Sequence, residues 1–161
     1  MTLDIALKFM TPFIAPLITL TMGLIGLFIT IRHFKVVRTV SYIERMNHPN
    51  MADIRACVDE WLASGISDDE RLAQLKKNFA LHARVRLFYN TIAELAIAYH
   101  YGTINRKMTL EIWEPLISEY WEKLRFYVLH RRSQGAAIGF HFEALAKTFE
   151  KHRNRKSKQS A

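Results

Sequence analysis

From Phe9 to Ile31 the chain runs 23 residues without a charged side chain, and beyond Ile31 its apolar positions thin into stripes at helical spacing. At about 1.5 Å per helical residue this run reaches about 35 Å, against roughly 30 Å of bilayer hydrocarbon, so it predicts a transmembrane helix with some tilt. A signal peptide would have a shorter apolar region and a small-residue cleavage site. The run instead ends in Ile31-Arg32-His33-Phe34-Lys35, a stop-transfer flank. Pro12 and Pro16 fall in its first two turns, where they start or kink a helix.

The stripes that follow predict further helices. Val36, Val37, Val40, Ile43 and Met46 continue the first helix as a stalk, which stops at Asn47-His48-Pro49-Asn50, with Asn50 as the next N-cap. A second helix is expected over Met51 to Ala63. Ser67 and Glu70 form a capping box that opens a long third helix, through Leu72, Leu75, Phe79, Val85, Phe88, Ile92, Leu95 and Tyr99 to Gly102, with a bend near Asn78. A fourth is expected from Met108 to His130, kinked or split at Pro115, and a last from Ser133 to His152, using Phe140, Leu145 and Phe149. No segment sustains strand-like alternation. The expectation is an all-α protein: residues 1–46 as transmembrane helix (9–31) and stalk, 47–152 as a small cytosolic helical domain, and 153–161 as a basic disordered tail.

Charge changes this picture in two places. Residues 39 to 150 hold 14 Lys or Arg against 14 Asp or Glu, so the net +8 is carried by Arg32, Lys35 and Arg38 and by Lys151, Arg153, Arg155, Lys156 and Lys158. A basic collar after the apolar run places the domain on the cytoplasmic side of the inner membrane, and both clusters suit an anionic leaflet, at about 1 kcal/mol per charge near the surface. The lipid bilayer is therefore an expected partner, and long nucleic acid is not. The single Cys57 sits on an apolar stripe with Ile54, Val58 and Trp61, as a small buried hydrophobe would.

Candidate chemistry is sparse. The seven histidines form no i, i+4 pair and have no cysteine partner nearby, so neither a metal site nor a cofactor is expected. Glu111 with Glu114 and Glu119 with Glu122 fit a solvated helix face and have no neighbouring nucleophile, so no enzyme is expected. Ala15, Thr19 and Gly23 are spaced four apart, with Gly26 close to the same face, a pattern that lets transmembrane helices approach and self-associate. The apolar stalk stripe strengthens the expectation of a homo-oligomer. Basic residues also gather between Arg71 and Lys107, where Glu94 is the only acid, and pairing with the acidic stretches on either side is one reading. The other is anion binding at turns. Arg131 and Arg132, followed by Ser133 and Gln134, precede an expected helix start whose amides would face a phosphate. Arg106 and Lys107 make a second basic turn, with Tyr101 as a stacking surface.

Leu87-Phe88-Tyr89-Asn90, Glu94, Ala96, Gly102, Trp121-Glu122-Lys123-Leu124 and Arg131 resemble a bacterial domain family of unknown function, found in short proteins with one N-terminal span. That resemblance implies an all-α cytosolic domain on a membrane anchor and no activity. In architecture and size the chain is also similar to the membrane effectors of type III CRISPR antiviral defence. These implied relatives bind cyclic tetra-adenylate as tetramers and disturb their membrane segment on binding. Two expectations follow. One is a ligand-gated membrane effector whose basic turns hold a cyclic oligonucleotide; the other is an anchored interaction module or scaffold with no small ligand.

Overall fold

A computed structural model describes the backbone of residues 3–159 and the side chains of residues 16–155, 157 and 158. Among these residues there are six helices and no strand: α1 (Leu3–Asn47), α2 (Pro49–Leu62), α3 (Asp68–Lys77), α4 (Phe79–His100), α5 (Arg106–Ser133) and α6 (Phe140–Gln159). The all-α expectation holds. The side chain of Ala15, in the expected self-association face, and that of Lys156 lie outside the described residues, as do residues 160 and 161 of the expected tail.

Local chemistry accounts for most boundaries. At α3 the Ser67 hydroxyl accepts from the Glu70 amide while the Ser67 amide donates to Glu70 at 2.9 Å, which is the expected capping box. α2 starts earlier than expected. Its N-cap is His48, because Pro49 presets the first helical φ and has no N–H to leave unpaired. The expected bend at Asn78 is a break: Asn78 ends α3 and caps α4 by accepting from the Leu81 amide at 3.0 Å. Pro115, by contrast, neither splits nor ends α5.

The largest difference falls at Ser133. It closes α5 instead of opening the last helix, because the amides of Gln134, Gly135 and Ala136 fold back onto the Arg131 and Arg132 carbonyls. α6 begins only at Phe140, and it continues through Gln159, so residues 153–159 extend a helix where a disordered tail was expected.

α4 is the central element, touched by α2, α3, α5 and α6. Its buried face (Val85, Phe88, Ile92, Leu95) meets Tyr120 and Leu124 of α5, Phe142 and Phe149 of α6, and Val58 of α2 in one core. Phe88 packs edge-on to Tyr120 at 4.6 Å, and Trp121 edge-on to Phe142 at 5.2 Å. The Tyr120 hydroxyl donates to Asp59 at 2.6 Å, tying α5 to α2, and burial followed by that carboxylate pushes its pKa up. α5 and α6 run antiparallel, with Arg132 against Glu143 near one end and His152 against Glu114 near the other. Two residues on the apolar stripes are not buried: Phe79 is 85% exposed and Phe140 is largely exposed, while Phe142 is buried.

α1 joins two environments. Its described apolar part, from Leu17 through Ile31, is exposed, and the helix is long and apolar enough to cross a membrane. Hydroxyls in this part bond within the helix, Thr21 to the Leu17 and Ile18 carbonyls and Thr30 to that of Gly26, as an apolar surrounding requires. Beyond Lys35 the helix is built into the domain. Thr39 and Met46 are buried, Tyr42 and Ile43 pack against the core, and Arg45 pairs with Glu94 at 2.6 Å. The far end of the stalk stripe, Ile43 and Met46, therefore has its partner within the chain, while Val37 remains 51% exposed, which weakens the support the stripe lent to self-association.

Candidate functional site

The α4–α5 turn is held from both sides. Asn105 caps α5 by accepting from the Met108 amide, and its own amide donates to the Thr39 hydroxyl of α1 at 2.9 Å. That hydroxyl in turn donates to the Lys35 carbonyl at 2.7 Å. Arg106 reaches back over the end of α4, donating through Nη2 to the His100 carbonyl at 3.0 Å and through Nε to that of Tyr99 at 3.3 Å, with its guanidinium over the Tyr99 ring. It thus places a cation where the helix dipole is negative. Tyr101 stands out at 68% exposure, beside the rings of His100 and His141, which meet at a tilt of 48°. Lys107 is exposed.

The α5–α6 turn is built differently. Arg132 donates through Nε to the Ile138 carbonyl at 2.8 Å and through Nη1 to Glu143 at 2.9 Å, and it lies over the Phe140 ring. Lys147 and then Arg132 hold the Glu143 carboxyl below the usual carboxylate range. Nη2 of Arg132 and the Tyr89 hydroxyl, both buried and both without a partner among the described residues, flank Gly139. The Ser133 hydroxyl donates to the His130 carbonyl at 2.7 Å, and the Gln134 amide nitrogen lies 3.0 Å from His130 Nε2. Arg131 is half-buried beside His82, His130 and Tyr127. Since Ser133 and Gln134 sit at a helix C-terminus, carbonyls face this turn. The expected cradle of free amides for a phosphate is absent there.

The two turns also lie at opposite ends of α5. Arg131 is 25 residues beyond Arg106 on one helix, about 38 Å of rise, so no single small ligand touches both in one chain. What the fold does bring together is Arg106 and α1. A cleft of about 430 Å³ is lined by Arg32, Lys35, Tyr101 and Arg106, with no acidic side chain in its walls among the described residues. Sequence reasoning assigned Arg32 and Lys35 to a collar unrelated to the Arg106 turn. A signal was present: Arg32, Lys35 and Thr39 are spaced three and four apart and share one face of α1. On the apolar part of α1, Gly23 and Gly26 have open space where a Cβ would stand, and Thr19 lies on the same helix. Among the described residues no group of three His, Cys, Asp or Glu side chains is placed to hold a metal.

Fold and cleft together define an all-α protein whose long apolar N-terminal helix continues into the core of a helical domain. A family model described as a domain of unknown function, DUF4760, matches residues 13–149, and the chain belongs to that family. The match takes in most of α1, so the apolar helix and the domain form one family unit. Neither a curated protein nor a solved structure matches the chain.

Proposed function

We propose that the protein is a single-pass membrane effector. Residues Phe9 to Ile31 cross the inner membrane, and the cytoplasmic helical domain converts an anion-binding event into a change in how the spans pack. One observation carries this reading. α1 is uninterrupted from the apolar run into the domain core, where Thr39 is fully buried and bonded to Asn105. A helix shared by a span and a core transmits tilt or rotation between them, and a ligand biases that motion by binding one arrangement better than the other. The open face at Gly23 and Gly26 supports contact between spans. A soluble messenger such as cyclic tetra-adenylate, in antiviral defence, would touch both basic turns only by bridging subunits, because the two turns of one chain are too far apart.

The test is cross-linking in membranes. With Cys57→Ser as background, Gly23→Cys should form interchain disulfides on oxidation more readily than Ile25→Cys on another face. Thr39→Val, which leaves the Asn105 amide without its acceptor, should change the Gly23→Cys yield. Equal yields at the two positions, or indifference to Thr39→Val, would defeat the coupled-effector reading. Phe79, Ala83 and Leu87 line a shallow cleft of about 220 Å³, with Phe79 nearly fully exposed, and this favours as second reading a module that recruits a protein there.

A further inference from the structure

We infer that the cleft between α1 and the α4–α5 turn binds the phosphate of an anionic phospholipid headgroup, held by Arg32, Lys35 and Arg106 with Tyr101 at its rim. The inference rests on the proposal that α1 crosses the bilayer, and it adds the ligand class and the site.

Arg32 follows Ile31 directly, and Lys35 stands four residues beyond it, about 6 Å along the helix. The headgroup layer outside the hydrocarbon is roughly 5 to 8 Å deep on each side, so both cations lie within it. The α4–α5 turn is anchored about 12 Å past Ile31, where Asn105 is bonded to Thr39, and from there its side chains line one cleft with Arg32 and Lys35. Arg106 and Tyr101 therefore reach the headgroup layer from the domain while Arg32 and Lys35 reach it from the span.

Three cations converge on the cleft and its walls carry no acid, so a bound group needs negative charge and gains from several donors at once. Arg106 is held in place by the Tyr99 and His100 carbonyls, which leaves Nη1 without a partner among the described residues. Its cation is positioned before any ligand arrives. Tyr101, exposed with an apolar ring and a polar tip, has the character of residues that sit at the membrane interface. A zwitterionic headgroup would bring a fourth cation against these three, whereas phosphatidylglycerol brings only its phosphate and hydroxyls. An occupied cleft joins α1 to the domain at the point where the proposed coupling passes, so the anionic content of the leaflet tunes that coupling.

The full chain is tested in mixed micelles of neutral detergent by thermal unfolding. Phosphatidylglycerol should raise the melting temperature saturably, by about 5 °C or more at high occupancy, and phosphatidylcholine should not. Inorganic phosphate and cyclic tetra-adenylate, added to phosphatidylcholine micelles, should each fail to reproduce the rise. The double variant Arg32→Gln/Lys35→Gln should lose at least half of it, while Lys76→Gln/Arg131→Gln, which removes the same charge at the far end of the domain, should keep it. Neither pair caps a helix, so both variants should fold.

Equal shifts with the two lipids, no shift with either, or equal losses in the two double variants would overturn the inference. A shift with a soluble anion and none with phosphatidylglycerol would give the cleft to that anion and overturn the lipid assignment. Extraction of the chain from cell membranes by alkaline carbonate, without detergent, would sink the spanning reading itself, which is a separate failure.

Discussion

Arg106-Lys107 and Arg131-Arg132 are basic pairs at the two ends of one helix, and sequence alone gave them the same meaning. At the α5 N-terminus Arg106 covers the carbonyls that end α4, and its turn leans on α1, so its charge adds to that of Arg32 and Lys35 in an open cleft. At the C-terminus Arg132 turns inward onto the Ile138 carbonyl and Glu143, where it closes the loop into α6. One end concentrates charge that remains available to a ligand. The other uses its charge to satisfy the fold. What separates them is helix polarity and the neighbour that each end meets.

The two ends should differ most in what their glycines tolerate. Gly139 has φ +77, and a Cβ there would overlap Val128 Cγ1 and stand 3.3 Å from the Tyr89 hydroxyl. Left-handed strain of about 1–2 kcal/mol and overpacking of about 1–3 kcal/mol then add, so Gly139→Ala should destabilise the solubilised full chain by about 3 kcal/mol. Gly102, at φ +64, would bring its Cβ only into ordinary contact with the Arg106 guanidinium, at 3.7 Å. Gly102→Ala should show the strain alone, about 1 kcal/mol. Denaturant unfolding of both variants in the same micelles compares them. Equal losses would mean that the α5–α6 turn is no tighter than the α4–α5 turn.

The arginines come next in size. Arg132→Ala removes two charge-assisted bonds from a side chain that is only 20% exposed and should cost about 2 kcal/mol. Arg131→Ala, one residue away and without such bonds, should stay within about 0.5 kcal/mol. If Arg131→Ala proved as costly as Arg132→Ala, the division of labour drawn here at the distal turn would be wrong.

These contrasts also mark what sequence could and could not supply. The apolar run, the capping box at Ser67 and the stop at Gly102 were legible because each is a local arrangement of a few residues. Ser133 was misread although a counter-signal was present. His130, Arg131 and Arg132 suit the negative C-terminal end of a helix better than the start of one. The stalk stripe announced a covered face and could not say what covers it; at Ile43 and Met46 the cover is the chain's own domain. Phe79 and Phe140 lie on the apolar stripes yet stay exposed, because spacing places residues on a face while tertiary packing decides which side of it is buried. The cleft was invisible for a related reason: Arg32 and Lys35 are far from Arg106 in the chain, and tertiary contacts, the Thr39–Asn105 bond among them, bring them together.

The smallest effect concerns the charge left at the distal end. His82 packs edge-on near Tyr127 and shares a small cleft with Lys76, His130, Arg131 and Gln134. Burial first, then Arg131 and Arg86, lowers its pKa below the ordinary value of 6.5. The unfolded chain therefore takes up a proton near pH 6.5 that the folded chain still refuses, so stability rises with pH across this window. The contribution is complete above about pH 6.5 and is lost as the pH falls from there through the folded pKa. Melting temperature followed from pH 7.5 to 5.5 should drop more steeply for the native chain than for His82→Gln, the other histidines forming a common background. Arg131→Gln should fall between them, since it removes the second cause of the shift and leaves burial in place. If Arg131→Gln matched the native slope, the distal cations would not be felt at His82. The far end of α5 would then be electrostatically inert, and the contrast with the cleft at the near end would sharpen further.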